Sequence, residues 1–141
     1  MYKLEDIAYF AGIVDGEGSI GIELLSPTKS RKKTYYVCRL CVVNTNLALM
    51  QWIKENFGGT FDAKAPKIPN RKLCYRWHIF GKDLENLITE LIPHLRMKKE
   101  QAQLLLKYRE TVASQGWLIT DDILEKRRLL HLRCKELNKL G

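Results

Sequence analysis

The sequence predicts an α+β fold in which a four-stranded antiparallel sheet carries helices on one face. Two observations predict this class. Apolar residues recur at helical spacing over residues 4–16, and segments of alternating polarity follow in two pairs, over 19–25 with 34–43 and over 60–65 with 72–80. A Ser26-Pro27 turn with a basic loop in the first pair and a turn over residues 66–70 in the second favour hairpins, and hairpins make the sheet antiparallel. With the later helices, the predicted order is α-β-β-α-β-β-α-α-α.

Local signals place the helices. The first is apolar around most of its circumference, so we expect burial on more than one side. Asn46 suits the N-cap of the second helix, which Gly58-Gly59 would end. Asp83 is expected to cap the third, which Pro93 interrupts. Two further helices are predicted over residues 98–112 and 121–140.

The composition fits one domain that covers all 141 residues. The 24 Lys and Arg residues exceed the 16 Asp and Glu residues by eight, so the formal charge is +8. No apolar stretch approaches the roughly 20 residues that cross a bilayer, and the first residues do not resemble a signal peptide. We therefore expect an intracellular protein without membrane partners, whose cysteines are thiols: Cys38, Cys41, Cys74 and Cys134.

Strand alternation predicts which side chains share the open face of the sheet. They are Ser19, Gly21, Glu23, Tyr35, Val37, Arg39, Thr60, Asp62, Lys64, Arg76 and His78. A one-residue slip in the last strand would instead turn Tyr75 and Trp77 outward, but burial favours the core for both aromatic rings. An open antiparallel face can enter the major groove of DNA, where Arg39 and Arg76 suit guanine and Glu23 suits cytosine.

The basic excess is concentrated at the hairpins. Lysines and arginines there would contact phosphate, which adds affinity without sequence information; the loop candidates are Lys29, Lys32, Lys33, Lys67, Arg71 and Lys72. A solvated polar face is the alternative interpretation of each cluster. That alternative is favoured for the last helix, where neighbouring acids dilute Lys126, Arg127, Arg128, Arg133 and Lys135.

The first helix ends in a distinctive segment, Phe-Ala-Gly-Ile-Val-Asp-Gly-Glu-Gly-Ser, over residues 10–19. Gly12 and Gly16 lie on one side of the helix and would let a second backbone approach closely. Contact about a two-fold axis would bring two copies of Glu17 to shared divalent cations. The chain has a single such segment, which predicts a homodimer with Phe10, Ala11, Gly12, Ile13, Asp15 and Gly16 at its interface.

This segment resembles the LAGLIDADG signature of the homing endonucleases. The resemblance covers about residues 4–112 and implies that family's αββαββα fold, a saddle-shaped sheet, with the C-terminal helix as an extension. It also implies an intron-encoded, sequence-specific endonuclease. Such an enzyme makes a metal-dependent double-strand break in a long, pseudo-palindromic DNA target and leaves 3′ overhangs.

The resemblance also implies site residues. Glu17 would bind Mg²⁺ or Mn²⁺, with Asp15 and Gly16 as further metal-site candidates, although Asp15 is favoured as a backbone-bonding residue. Asn44 would order the nucleophilic water, and Lys98 would stabilise charge near the scissile phosphate. The alternatives are a strand-end or capping residue for Asn44 and a surface lysine at a helix start for Lys98.

Other functions explain the sequence less completely. A catalytically weak DNA- or RNA-binding protein of the same fold, such as a maturase that binds its intron RNA, is the alternative, and the retained Glu17 favours the nuclease. A purely structural domain would leave the basic hairpins unexplained. A zinc site at Cys38 and Cys41 is disfavoured because these positions face opposite sides of a strand. His94 and His131 lack ligand partners at suitable spacing.

Overall fold

The computed structural model describes residues 2–27, 29, 35–66, 68–69, 71–113 and 119–140. Its elements are α1 (Leu4–Glu17), β1 (Gly18–Leu25), β2 (Tyr35–Asn44), α2 (Leu47–Phe57), β3 (Thr60–Lys64), β4 (Cys74–Ile79), α3 (Gly81–Leu91), α4 (Lys99–Ala113) and α5 (Asp121–Leu140). A 3-10 turn at Ile92–His94 separates α3 from α4. The predicted α+β class and element order are confirmed. Within the described ranges, none of the helices has the length and apolar character needed to cross a bilayer.

The four strands form one antiparallel sheet in the order β1-β2-β4-β3. Each hairpin pairs within itself, and β2 joins β4 so that Asn44 lies opposite Tyr75. The strands β1 and β3 are therefore the edges of the sheet. Strand β4 is shorter than predicted because its ladder with β3 ends at the pair Lys64 and Cys74.

The core lies between the sheet and the helices. Its strand residues alternate as predicted and are Ile20, Ile22, Cys38, Leu40, Val42, Trp77 and Ile79. Phe10 of α1 stacks on Phe57 of α2 with ring centroids 4.4 Å apart, and it meets Trp77 edge-on at 5.5 Å. The Trp77 indole donates to the carbonyl of Gly58 at 2.8 Å. The register that turns Tyr75 and Trp77 toward the helices is therefore the one the chain adopts.

The helix caps agree with one prediction and correct another. Asn46 accepts a 3.0 Å hydrogen bond from the backbone N–H of Leu49 and so caps α2 as predicted. Asp83 is not the cap of α3, because the helix already begins at Gly81 and Asp83 lies in its first turn. Gly81 has φ +67°, a conformation that glycine adopts readily, and this lets the chain turn into the helix two residues early.

The C-terminal helix α5 covers the edge strand β1. Three of its side chains donate to outward-facing carbonyls of β1: His131 Nδ1 to Ile22 at 2.5 Å, and Cys134 Sγ and Asn138 Nδ2 to Ile20 at 3.5 and 3.0 Å. An uncovered edge would expose unpaired backbone groups to other chains. The C-terminal helix, which was predicted as an extension of the fold, therefore covers the edge of the sheet at β1.

Candidate functional site

The junction between α1 and β1 presents Glu17 at a fixed place. Strand β1 begins at Gly18, immediately after Glu17 ends the helix, and the Gly18 N–H still bonds to the carbonyl of Val14. A Cβ added at Gly18 would lie 2.9 Å from the Val14 Cα, so only glycine fits without a shift. The helix can therefore end in an exposed acid directly beside the first strand.

Asn44 holds the Glu17 carboxylate. Its Nδ2 donates to Glu17 Oε2 at 2.6 Å, while its Oδ1 accepts from the backbone N–H of Asn46 at 2.8 Å. The bond to Asn46 determines which way the amide points, and the amino group is directed at the acid. The other carboxylate oxygen, Glu17 Oε1, has no hydrogen-bond partner within the described ranges.

Asp15 joins α1 to the segment before α4. Its carboxylate accepts three backbone N–H groups, from Arg96 at 2.8 Å, Met97 at 3.1 Å and Lys98 at 3.1 Å. The residue is only 8% exposed. Both oxygens are engaged, which agrees with the backbone-bonding role that the sequence favoured over metal contact. The adjacent Gly16 offers no side-chain ligand.

Lys98 lies at the same helix end. Its ammonium donates to the backbone carbonyl of Asp15 at 2.6 Å, where a cation also interacts favourably with the negative end of the helix dipole. Its own carbonyl accepts from Ala102 and so begins α4. The structure thus gathers Glu17, Asn44 and Lys98 from three elements around one end of α1.

The exposed side of α1 contains both glycines of the predicted interface. Added Cβ atoms at Gly12 and Gly16 would meet no atom of this chain within 4 Å, and Ile13 beside them is half-buried. Phe10 and Ala11 are fully buried in the chain's own core, so the prediction that they face a second copy is wrong. The exposed side instead includes Ala8 and Tyr9, which helical spacing from Gly12 and Gly16 would have identified.

The predicted open face is present on the other side of the sheet. The register aligns its residues in rows, the longest of which is Ser19, Cys41, His78 and Thr60. A shorter row joins Val43, Arg76 and Asp62, and pairs are formed by Gly21 with Arg39, Glu23 with Val37, Leu25 with Tyr35 and Lys64 with Cys74. Leu25, Cys41, Val43 and Cys74 share this face and were missed as candidates, although alternation alone would have included them.

Polar pairing on the open face changes one expectation. The guanidinium of Arg39 bonds to the carboxylate of Glu23, so Glu23 is engaged and does not stand free for a cytosine amino group. His78 contacts the hydroxyl of Thr60 through Nε2 at 3.2 Å. Arg76 Nε and His78 Nδ1 are buried polar atoms with no hydrogen-bond partner in the described chain. Such groups cost free energy unless water or a bound molecule satisfies them.

Exposed cations lie on this face and in the loops next to its strands. Those that the structure describes are Lys29, Lys64, Arg71 and Lys72. Lys32, Lys33 and Lys67 lie outside the described residues. The cationic side chains and the half-buried arginines on the strands make the open face suitable for a polyanion.

The cysteines divide as strand geometry predicts. Cys38 lies in the core, where burial raises its pKa to about 12, whereas Cys41 lies on the open face. Burial also raises the Cys41 pKa, and the nearby Arg39 opposes that shift. All four cysteines are free thiols.

The acidic side chains of one chain supply only some of the ligands that a hard, oxygen-binding cation needs. Among the described residues there is no group of three His, Cys, Asp or Glu side chains that could hold a metal ion. Mg²⁺, however, keeps several waters and takes one or two carboxylates together with substrate phosphates. The exposed Glu17, with one carboxylate oxygen unpartnered in the described ranges, fits that requirement.

No protein-family model matches the sequence, and no curated protein matches it. Solved structures match the fold closely. The homing endonuclease I-CvuI, in complex with its target, is 23% identical with a TM-score of 0.78, over 94% of this chain and 82% of that one. The archaeal intron-encoded homing endonuclease I-Vdi141I, complexed with DNA, is 17% identical with a TM-score of 0.77, over 94% and 84%.

A third neighbour is much longer than this chain. The LAGLIDADG homing endonuclease I-SmaMI, bound to cleaved DNA, is 23% identical with a TM-score of 0.69, and the match covers 92% of this chain but 43% of I-SmaMI. The chain therefore has the fold of the LAGLIDADG homing endonucleases, as the motif at the end of its first helix predicts.

Proposed function

We propose that this protein is a homing-type DNA endonuclease that makes a metal-dependent double-strand break in a long, pseudo-palindromic target. The observation that carries the proposal is the placement of Glu17. Asn44 holds its carboxylate at the point where α1 leads directly into the strands of the open, basic face. The solved neighbours support it, since they are homing endonucleases in complex with DNA.

The sheet would bind duplex DNA through its open face. An antiparallel face of this kind fits the major groove, where a guanidinium can bond guanine in a bidentate manner. Arg76 is the best candidate, because its buried Nε lacks a partner in the described chain. Arg39 would read a base while Glu23 fixes its orientation. The surrounding lysines would contact phosphates.

The catalytic unit would be a homodimer. The sequence contains one LAGLIDADG-like segment, so one copy of this segment would supply half of a site. The open surface at Gly12 and Gly16 lets a second α1 approach without moving atoms of the first chain. Two copies packed there would each present Glu17 near the two-fold axis.

Each residue near Glu17 would then have a role in phosphodiester hydrolysis. Glu17 would hold Mg²⁺ or Mn²⁺, which when bound polarises the scissile phosphate and acidifies a water. Asn44 orients the Glu17 carboxylate and, through its second amide hydrogen, can hold a water beside it. Lys98 retains two ammonium hydrogens beyond its bond to Asp15, and these can stabilise negative charge on the phosphate.

The proposal is tested on DNA from the intron-lacking form of the host gene. Purified protein with Mg²⁺ should cut this DNA at one locus and leave short 3′ overhangs, which sequencing of the ends would map. Chelation of the metal should abolish the break. Binding without cutting in both Mg²⁺ and Mn²⁺ would instead identify a DNA- or RNA-binding protein of the same fold.

A further inference from the structure

Helix α5 forms one wall of a groove on the open side of the sheet. The groove has a volume of ≈ 660 Å³ and lies over the edge strand β1. Residues of the open face and residues of α5 line it together: Ser19, Gly21, Arg39, His131, Lys135 and Asn138. The surface that we propose for DNA therefore continues past the edge of the sheet onto α5.

The position of Lys135 in this groove follows from how α5 is anchored. His131 and Asn138 bond to carbonyls of β1. Lys135 lies four residues after His131 and three residues before Asn138. Residues at these spacings share one face of a helix. The floor below is open because Gly21 has no side chain, and a Cβ there would approach only Glu23 Cγ, at 3.8 Å.

The charge of the groove is positive. The carboxylate of Glu23 is engaged by Arg39, and Lys135 has no ion-pair partner among the described residues. Two arginines of α5 are neutralised locally, since Arg128 pairs with Glu125 and Arg133 pairs with Glu100 and Glu136, whereas Lys126, like Lys135, has no ion-pair partner among the described residues. Lys135 differs from Lys126, Arg127, Arg128 and Arg133 in that it lines the groove, whereas none of these four does.

We propose that this groove holds the phosphate backbone of bound duplex DNA, with Lys135 contacting a phosphate. The inference rests on the proposed DNA-binding function and extends its interface to α5. A phosphate seated over Gly21 would lie beside the open face that reads base edges, so α5 would set the position of the duplex against the sheet. Contacts of this kind strengthen binding at every sequence.

Salt-dependent binding tests this assignment. Binding of a mixed-sequence duplex is measured by fluorescence anisotropy over a salt series, with thermal unfolding of each variant as the folding check. Lys135→Ala should bind several-fold more weakly, and the slope of log affinity against log salt should fall by about one per bound chain. Gly21→Val should also weaken binding, because it fills the groove without a clash and valine suits a strand.

Lys126→Ala is the matched control. Lys126 is exposed on the same helix nine residues earlier, about two and a half turns away, and therefore on the opposite side from Lys135. Its binding and salt slope should equal those of the unmodified protein. Equal losses for both lysine variants would mean diffuse attraction and would overturn the groove assignment.

Arg76→Ala separates this inference from the proposed function. If it weakens binding while Lys135→Ala and Gly21→Val do not, the groove is not part of the interface and the sheet still is. If the unmodified protein does not bind duplex DNA, the proposed function fails and this inference fails with it. We expect Arg76→Ala, Lys135→Ala and Gly21→Val each to bind DNA more weakly, and Lys126→Ala to bind as the unmodified protein does.

Discussion

The side-chain amide of Asn44 donates a 2.6 Å hydrogen bond to the carboxylate of Glu17 and so joins the ends of β2 and α1. The two residues are 27 positions apart in the chain. An acid at the end of a helix would otherwise sample several rotamers, and a metal ligand gains from being held in one. The geometry of the proposed catalytic acid therefore depends on where β2 ends.

Glu17→Gln should abolish DNA cleavage and leave DNA binding within a few-fold of the original. The amide retains the size of the carboxylate but loses the charge that a divalent cation requires. Cleavage and binding assays on the same target duplex check this. Glu5→Gln, at the exposed start of the same helix, is the control and should cut normally. Cleavage by Glu17→Gln at the original rate would remove the metal role from this residue.

Asn44→Ala should slow cleavage by about 10²-fold without weakening DNA binding, because the Glu17 carboxylate loses its orienting donor. Single-turnover kinetics at saturating DNA would show the loss in the rate of the chemical step. Asn44→Gln should restore part of the rate by supplying the same amide. A variant defective in binding alone would assign Asn44 to DNA contact instead.

Asp15→Asn should destabilise the fold by about 2–3 kcal/mol. The asparagine would present an amino group to one of the three backbone N–H donors at residues 96–98, and a charged acceptor would be lost. Urea unfolding measures the change. Asp6→Asn, in the first turn of α1, should lower the free energy of unfolding by less than about 1 kcal/mol, because it removes only a favourable interaction with the helix dipole. Similar costs for both variants would contradict the role of Asp15 in fixing this segment.

Gly12→Leu should separate the proposed homodimer into folded monomers. The leucine meets no atom of its own chain within 4 Å and removes a glycine from a helix, so the fold of the single chain is not weakened. Sedimentation velocity would report the mass, and circular dichroism the folding. Asn86→Leu, at an exposed position of α3, controls for the added leucine. A Gly12→Leu dimer as stable as the original would place the interface elsewhere.

Stability at alkaline pH should depend on Cys38. Burial raises its pKa from 9.0 to about 12 in the folded protein, whereas the thiol of the unfolded chain ionises near its ordinary value. The contribution of Cys38 is therefore complete below pH 9 and is lost as pH rises toward 12. The free energy of unfolding of Cys38→Ala should fall less steeply over this range. Tyr108, whose pKa burial also raises to about 12, remains in both proteins; since Cys38 contributes to the raised Tyr108 pKa, the difference reports Cys38 together with its coupling to Tyr108. If the free energies of unfolding of the two proteins fell in parallel with rising pH, the role of Cys38 would be contradicted.

Local patterns in the sequence determined the features that belong to single helices and strands. Alternation identified the two faces of every strand, including the burial of Trp77, and Asn46 marked the start of α2. The spacing of Gly12 and Gly16 located the open side of α1. These features depend on neighbours within one element, so periodicity and capping chemistry suffice to predict them.

Only the tertiary structure decided which elements meet. It paired β2 with β4, seated α5 on the edge of β1, buried Phe10 and Ala11 in the chain's own core, and bound Asp15 to residues 96–98. It also engaged Glu23 with Arg39, where the sequence showed two independent charges. Such contacts join residues far apart in the chain, and they depend on how the elements pack together, which no pattern within a single helix or strand encodes.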